Sequence, residues 1–86
     1  MFYVYVLRSI QDNQLYTGFT HDLRSRLEKH KSKKVISTRH RGDLQLIYFE
    51  SCLNEMDDKR REKYLKSGIG KRFLKSRLKF WYKTLK

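Results

Sequence analysis

The sequence predicts an α/β domain of the α+β kind: a small three-stranded antiparallel sheet flanked by helices, in the order ββαβαα. Three observations carry that expectation. Aromatic and β-branched residues gather in three short runs, Phe2-Tyr3-Val4-Tyr5-Val6-Leu7, Leu15-Tyr16-Thr17-Gly18-Phe19-Thr20 and Leu44-Gln45-Leu46-Ile47-Tyr48-Phe49. The segments after the second and third runs repeat apolar residues at helical spacing. The whole chain is 86 residues with no proline and 38% hydrophobic content spread along it, enough for one core and one domain, residues 1–86.

The first run is apolar on both faces and therefore belongs in the middle of the sheet. Ser9 to Asn13 are turn formers, so Gln14 to Thr20 returns as the second arm of a β-hairpin. Thr20 or Asp22 caps a helix in which Leu23 and Leu27 recur through His30. Residues 31–43 are polar and basic and read as a long exposed loop. After the third strand, Asn54 caps a helix through Lys66, and Ser67-Gly68-Ile69-Gly70 interrupts it. Beyond Gly70, Leu74, Leu78, Trp81 and Leu85 stand at i, i+4, i+7 and i+11, the pattern of one amphipathic helix.

Charge narrows the partners. Twenty-one lysines and arginines against nine acids leave a net charge of +12, which attracts polyphosphates through long-range fields and counterion release. No acid follows Glu62, so Lys63, Lys66, Lys71 and Arg72 open a series able to track a phosphate backbone, and Lys33, Lys34, Arg39 and Arg41 charge the earlier loop. Nucleic acid is the expected partner, DNA first, and no membrane. No apolar stretch approaches the roughly 20 residues of a membrane span, and the apolar start lacks the basic flank and cleavage site of a leader. The expected protein is cytoplasmic and monomeric. Cys52 stands alone, which excludes an internal disulfide, and His21, His30, His40 and Cys52 lack zinc-site spacing. Gly68-Ile69-Gly70-Lys71 follows a helix and not a strand, unlike a phosphate-binding loop.

Three features can carry chemistry. The hairpin presents Tyr3, Tyr5 and Tyr16 beside Gly18, a glycine inside a strand that suggests close approach by another group. The first helix sets Arg26 and His30 four residues apart on one face. The helix after the third strand carries Glu62 amid bases. Tyr3-Val4-Tyr5, Tyr16-Thr17-Gly18, Asp22-Leu23-Arg24-Ser25-Arg26-Leu27-Glu28-Lys29-His30 and Arg61-Glu62-Lys63-Tyr64-Leu65-Lys66-Ser67-Gly68, in that order, resemble the signature of the GIY-YIG nuclease superfamily. The likeness covers nearly the whole chain and is strongest to small stand-alone bacterial members of the UPF0213 type and to the N-terminal domain of excision-repair incision subunits.

The resemblance implies divalent-metal-dependent phosphodiester hydrolysis, with DNA repair or recombination as its setting. Tyr5 and Tyr16 match the two motif tyrosines, one of which helps deprotonate the attacking water. Arg26 matches the arginine on the phosphate, His30 its neighbouring histidine, and Glu62 the sole protein ligand of one Mg²⁺ or Mn²⁺. Elementary chemistry is consistent with each role. A phenol of pKa near 10 is a poor base unless cations surround it. Arginine offers a planar fork to phosphoryl oxygens, and Mg²⁺ keeps several waters, so one carboxylate suffices beside substrate phosphate.

Each residue also has a plainer reading. The tyrosines are ordinary sheet aromatics, His30 complements a helix dipole, and Glu62 pairs with Lys66 on a helix surface. If those readings hold, the chain is a catalytically silent nucleic-acid-binding module. Hairpin register separates the two. A loop over Ser9 to Asp12 sets Tyr5 opposite Tyr16, with Cβ atoms roughly 5 Å apart; a two-residue turn at Asp12-Asn13 separates them by about 13 Å on one face; an odd-membered loop puts them on opposite faces. Asp58, one turn before Glu62, stands where the superfamily often has a small residue, and either disturbs packing or adds a second carboxylate to the metal site.

Overall fold

A computed structural model of the protein describes residues 1–85. The strands are β1 (Phe2–Ser9), β2 (Leu15–Thr20) and β3 (Leu44–Cys52), and the helices are α1 (Leu23–Lys31), α2 (Glu55–Lys66), α3 (Gly68–Arg77) and α4 (Lys79–Tyr82). The sheet is antiparallel in the order β2-β1-β3, so the doubly apolar strand is central as expected. Alternation divides its side chains between two layers. Val4 and Val6 are fully buried against Leu65 of α2 and Leu74 of α3, and Tyr5 and Leu7 lie buried on the opposite face. Cys52 closes β3. Val6 pairs with Tyr48 and Leu7 with Leu46, which leaves Ile47 as the extra residue of a β-bulge.

The hairpin takes neither of the two same-face registers considered above. The Ser9 N–H donates to the Gln14 carbonyl and the Asn13 N–H to the Ser9 carbonyl, both at 2.8 Å. Asn13 adopts φ 63°, a left-handed conformation that asparagine tolerates, and closes a loop over residues 10–13. Tyr5 therefore faces Gly18, and Leu7 faces Tyr16. The loop is even-membered, so both tyrosines share a face, as diagonal neighbours about 7–8 Å apart at Cα.

Caps delimit the helices where polar residues were expected to act. Asp22 accepts the Ser25 N–H at the start of α1, and Asn54 accepts the Met56 and Asp57 N–H groups at the start of α2. Two expectations for the last segment need correction. Only Ser67 leaves the helical conformation between α2 and α3, and Gly68 and Gly70 both lie inside α3, because the Ser67 hydroxyl accepts the Gly70 N–H and starts a new helix at once. The single terminal helix is also broken, at Leu78 (φ −108°, ψ 27°), and the short α4 places Trp81 against the Arg8 guanidinium at 5.6 Å.

A polar cluster absent from the sequence reading fixes α2 on β3. Arg61 makes two hydrogen bonds to Glu50, Tyr48 donates to the same carboxylate at 2.7 Å, and the guanidinium lies over the rings of Tyr64 and Phe73. With Arg61 committed to β3, the next residue on the helix, Glu62, turns toward β2.

Candidate active site

Beneath α1, the hairpin face and α2 enclose a cleft of about 500 Å³ whose walls include Tyr5, Tyr16, Gly18, Arg26, His30 and Glu62. All five proposed reactive side chains, drawn from β1, β2, α1 and α2, thus reach one cavity. Thr38, Ser37, Lys66 and Lys71 complete much of its rim.

Tyr5 is its hub. Its hydroxyl lies 2.8 Å from His30 Nε2 and accepts from Arg26 Nε at 3.3 Å, and the phenol and imidazole rings meet edge to face. Helical spacing makes this possible, since Arg26 and His30 project from successive turns of α1 onto the same strand. The ring of Tyr5 fills the space over Gly18: a Cβ there would stand 2.3 Å from the Tyr5 hydroxyl oxygen. The strand glycine is therefore a requirement of close approach, in agreement with its sequence reading. Gly18→Ala is expected to displace the Tyr5 ring, break its bonds to His30 and Arg26, and destabilise the fold by about 1–3 kcal/mol. Urea denaturation with aromatic NMR would test this, and an unperturbed Tyr5 signal would count against it.

His30 is buried, and burial together with the Arg26 guanidinium pushes its pKa below the usual histidine range, which keeps the ring neutral at pH 7. Its Nδ1 lies 2.8 Å from Thr38 Oγ1. Tyr16 differs from Tyr5 in one respect that matters: its hydroxyl is buried and has no hydrogen-bond partner among the described residues. The Arg41 guanidinium lies over its ring at 5.1 Å. Glu62 projects from α2 with Lys66 Nζ 3.1 Å from one carboxylate oxygen, the i, i+4 pair anticipated on the plainer reading.

The basic residues divide. Lys66 and Lys71 line the cleft, and Lys34, Arg39, Lys63 and Arg72 are exposed. Lys33 instead donates to the Arg41 and Gly42 carbonyls, and Arg41 to Asp12 and Gln14. Tyr3 lies outside the cleft walls, against Phe49. Asp58 adds no carboxylate to the cleft; it is buried on another side of α2, where Oδ1 accepts the Cys52 thiol at 3.1 Å. That bond raises the thiol pKa. Among the described residues no cluster of three or more histidines, cysteines or acids could hold an ion by itself. A divalent cation here would rest on Glu62, with water and substrate phosphate completing its shell. The donor set suits Mg²⁺ or Mn²⁺, hard ions that accept few protein ligands, and the unsatisfied Tyr16 hydroxyl suits a water in the same cavity.

A profile of the GIY-YIG catalytic domain matches residues 1–77. The chain belongs to the GIY-YIG family. GIY-YIG domains are nuclease domains, so nucleic acid is the general class of substrate. Relatives include a UPF0213 protein of Clostridium perfringens, 40% identical over 77% of this chain and 71% of its own, and one of Oceanobacillus iheyensis, 37% identical over 74% of each. The solution NMR structure of a UPF0213 protein from Bacillus halodurans superposes with a TM-score of 0.54 at 35% identity, covering 88% of this chain and 84% of that one. Its likeness extends to the three-stranded sheet and flanking helices of this GIY-YIG domain. Among the described residues no helix is long and apolar enough to cross a membrane.

Proposed function

We propose that the protein hydrolyses phosphodiester bonds in DNA with one bound Mg²⁺ or Mn²⁺, acting as a monomer in the cytoplasm in DNA repair or recombination. One observation carries this reading: a single cleft gathers Tyr5, Tyr16, Arg26, His30 and Glu62 from four elements. Glu62 would hold the metal, which when bound supplies Lewis-acid stabilisation of charge on phosphoryl oxygens. Arg26 lies beside the Tyr5 oxygen and keeps further donors for the scissile phosphate. Tyr5 is already committed to Arg26 and His30, and its part is to orient the arginine. Tyr16, whose hydroxyl has no protein partner, is the better candidate to orient the attacking water and take its proton. Lys66 and Lys71 carry the flanking backbone into the cleft.

Incubating the pure protein with plasmid, branched and single-stranded DNA and with RNA, in Mn²⁺ or in chelator, tests the reading. Cleavage of DNA that requires the metal is the expected result; no cleavage of any substrate would refute it. Binding should weaken with salt, log K falling against log[salt] by about 0.9 per phosphate contacted on duplex. The Lys66–Glu62 pair favours a second reading, a silent binding module in which the ammonium already neutralises the carboxylate. That module would bind nucleic acid in a salt-sensitive way, unaltered by metal and without turnover.

A further inference from the structure

Residues 31–43 were expected to form an exposed basic loop. The loop is instead folded onto the cleft, and its deepest residue is a threonine. Thr38 is 1% exposed, and Val35 beside it is buried. The Thr38 N–H donates to the Val35 carbonyl at 3.1 Å and its carbonyl accepts the Arg41 N–H at 3.0 Å. Lys33 grips the carbonyls of Arg41 and Gly42 at 2.7 and 2.9 Å, and Arg41 reaches across to Asp12 at 2.8 Å on the hairpin loop. These bonds hold one hydroxyl 2.8 Å from His30 Nδ1.

Counting hydrogens determines what that hydroxyl does. Tyr5 is buried and has one hydroxyl hydrogen and two lone pairs. Arg26 Nε, which can only donate, occupies a lone pair. The Tyr5 hydrogen then has one acceptor within reach among the described residues, His30 Nε2. An imidazole that accepts at Nε2 and is neutral carries its proton at Nδ1, and that proton points at Thr38. The opposite tautomer would leave the Tyr5 hydrogen buried without an acceptor, at a cost of about 1–3 kcal/mol.

We infer that Thr38 is a positioning residue of this cleft: its hydroxyl holds His30 as the Nδ1–H tautomer, so that His30 Nε2 takes the Tyr5 hydroxyl hydrogen and turns a Tyr5 lone pair toward Arg26. The chain Thr38–His30–Tyr5–Arg26 joins a loop, a helix and a strand and ends at the guanidinium proposed to meet the phosphate. Its consequence for turnover rests on the nuclease reading above; the tautomer itself does not.

Side-chain NMR on protein with isotope-labelled histidine reads the tautomer directly. The unaltered protein should show His30 protonated at Nδ1, and finding it protonated at Nε2 overturns the inference without recourse to any variant. Thr38→Val, which keeps the shape and removes the hydroxyl, should shift His30 toward Nε2–H, and Thr38→Ser should restore Nδ1–H. A valine variant that retains Nδ1–H, or a serine variant that behaves like valine, also overturns it. Given cleavage by the unaltered protein, Thr38→Val should lower kcat by about tenfold or more with KM little changed, as loss of an orienting partner behind an active histidine does. Absence of cleavage by the unaltered protein would refute the nuclease reading and leave the tautomer result standing.

Discussion

Glu62→Gln is expected to remove metal-dependent cleavage while leaving the fold intact. The amide keeps the shape of the side chain and loses the charge that a hard cation requires. Its one ion pair, with Lys66, is of the surface i, i+4 kind, worth only about 0.3–0.5 kcal/mol, so urea midpoints should scarcely move. Arg26→Ala should lower kcat by about 10²–10³-fold, the usual consequence of deleting one donor to a charged transition state. The two losses are separable. Raising the Mn²⁺ concentration should recover part of the rate in Glu62→Gln, whose defect is in binding the ion, and none in Arg26→Ala. A Glu62→Gln protein that cleaves at the unaltered rate would remove this residue from the chemistry and leave Lys66 as its natural partner.

Gly70→Ala should have the largest effect on stability. A Cβ at Gly70 would stand 2.0 Å from the Tyr64 carbonyl oxygen and 2.5 Å from the Leu65 Cα, both backbone atoms of α2. A side chain could rotate away, as Tyr5 can from position 18, but a helix backbone cannot. The α2–α3 junction would have to open, and with it the packing of Leu65 and Leu74, each fully buried. The expected destabilisation is about 3 kcal/mol or more, at or beyond the upper end for overpacked sites. Gly68→Ala is the control: nothing lies within 4 Å of its Cβ position, and the change should be neutral or stabilising by up to about 1 kcal/mol. Urea denaturation of the pair checks both, and equal midpoints would refute the close-packing account of Gly70.

Much of the fold is legible in residue order because the signals are local. Alternation in β1, the Asp22 and Asn54 caps and the periodicity of α1 and α2 act within a few residues. The errors lie where distant contacts compete. The break at Leu78 depends on where Trp81 finds Arg8, and that partner lies on β1. Loop 31–43 looked solvated because its composition is polar, yet its polar groups are satisfied by the hairpin loop, by α1 and by its own carbonyls. A lone threonine in a basic stretch gives no sign of such a role. Glu50 was overlooked for the same reason, since its partner Arg61 is a helix away.

The site follows the same division. Which side chains matter was readable from the ordered tyrosines, Gly18, the Arg26–His30 spacing and Glu62, because family motifs and helix periodicity are properties of the chain itself. Their division of labour was not. A hairpin over residues 10–13 sets Tyr5 over Gly18 and leaves Tyr16 one diagonal step away, so that one phenol is bonded on both sides and the other on neither. A register shift of two residues preserves every periodicity in the sequence and changes every partner across the strands. Sequence alone therefore determined the composition of the cleft. The tertiary structure decided its wiring, because hydrogen bonds are resolved at about 3 Å and hydrophobic periodicity only at the width of a residue.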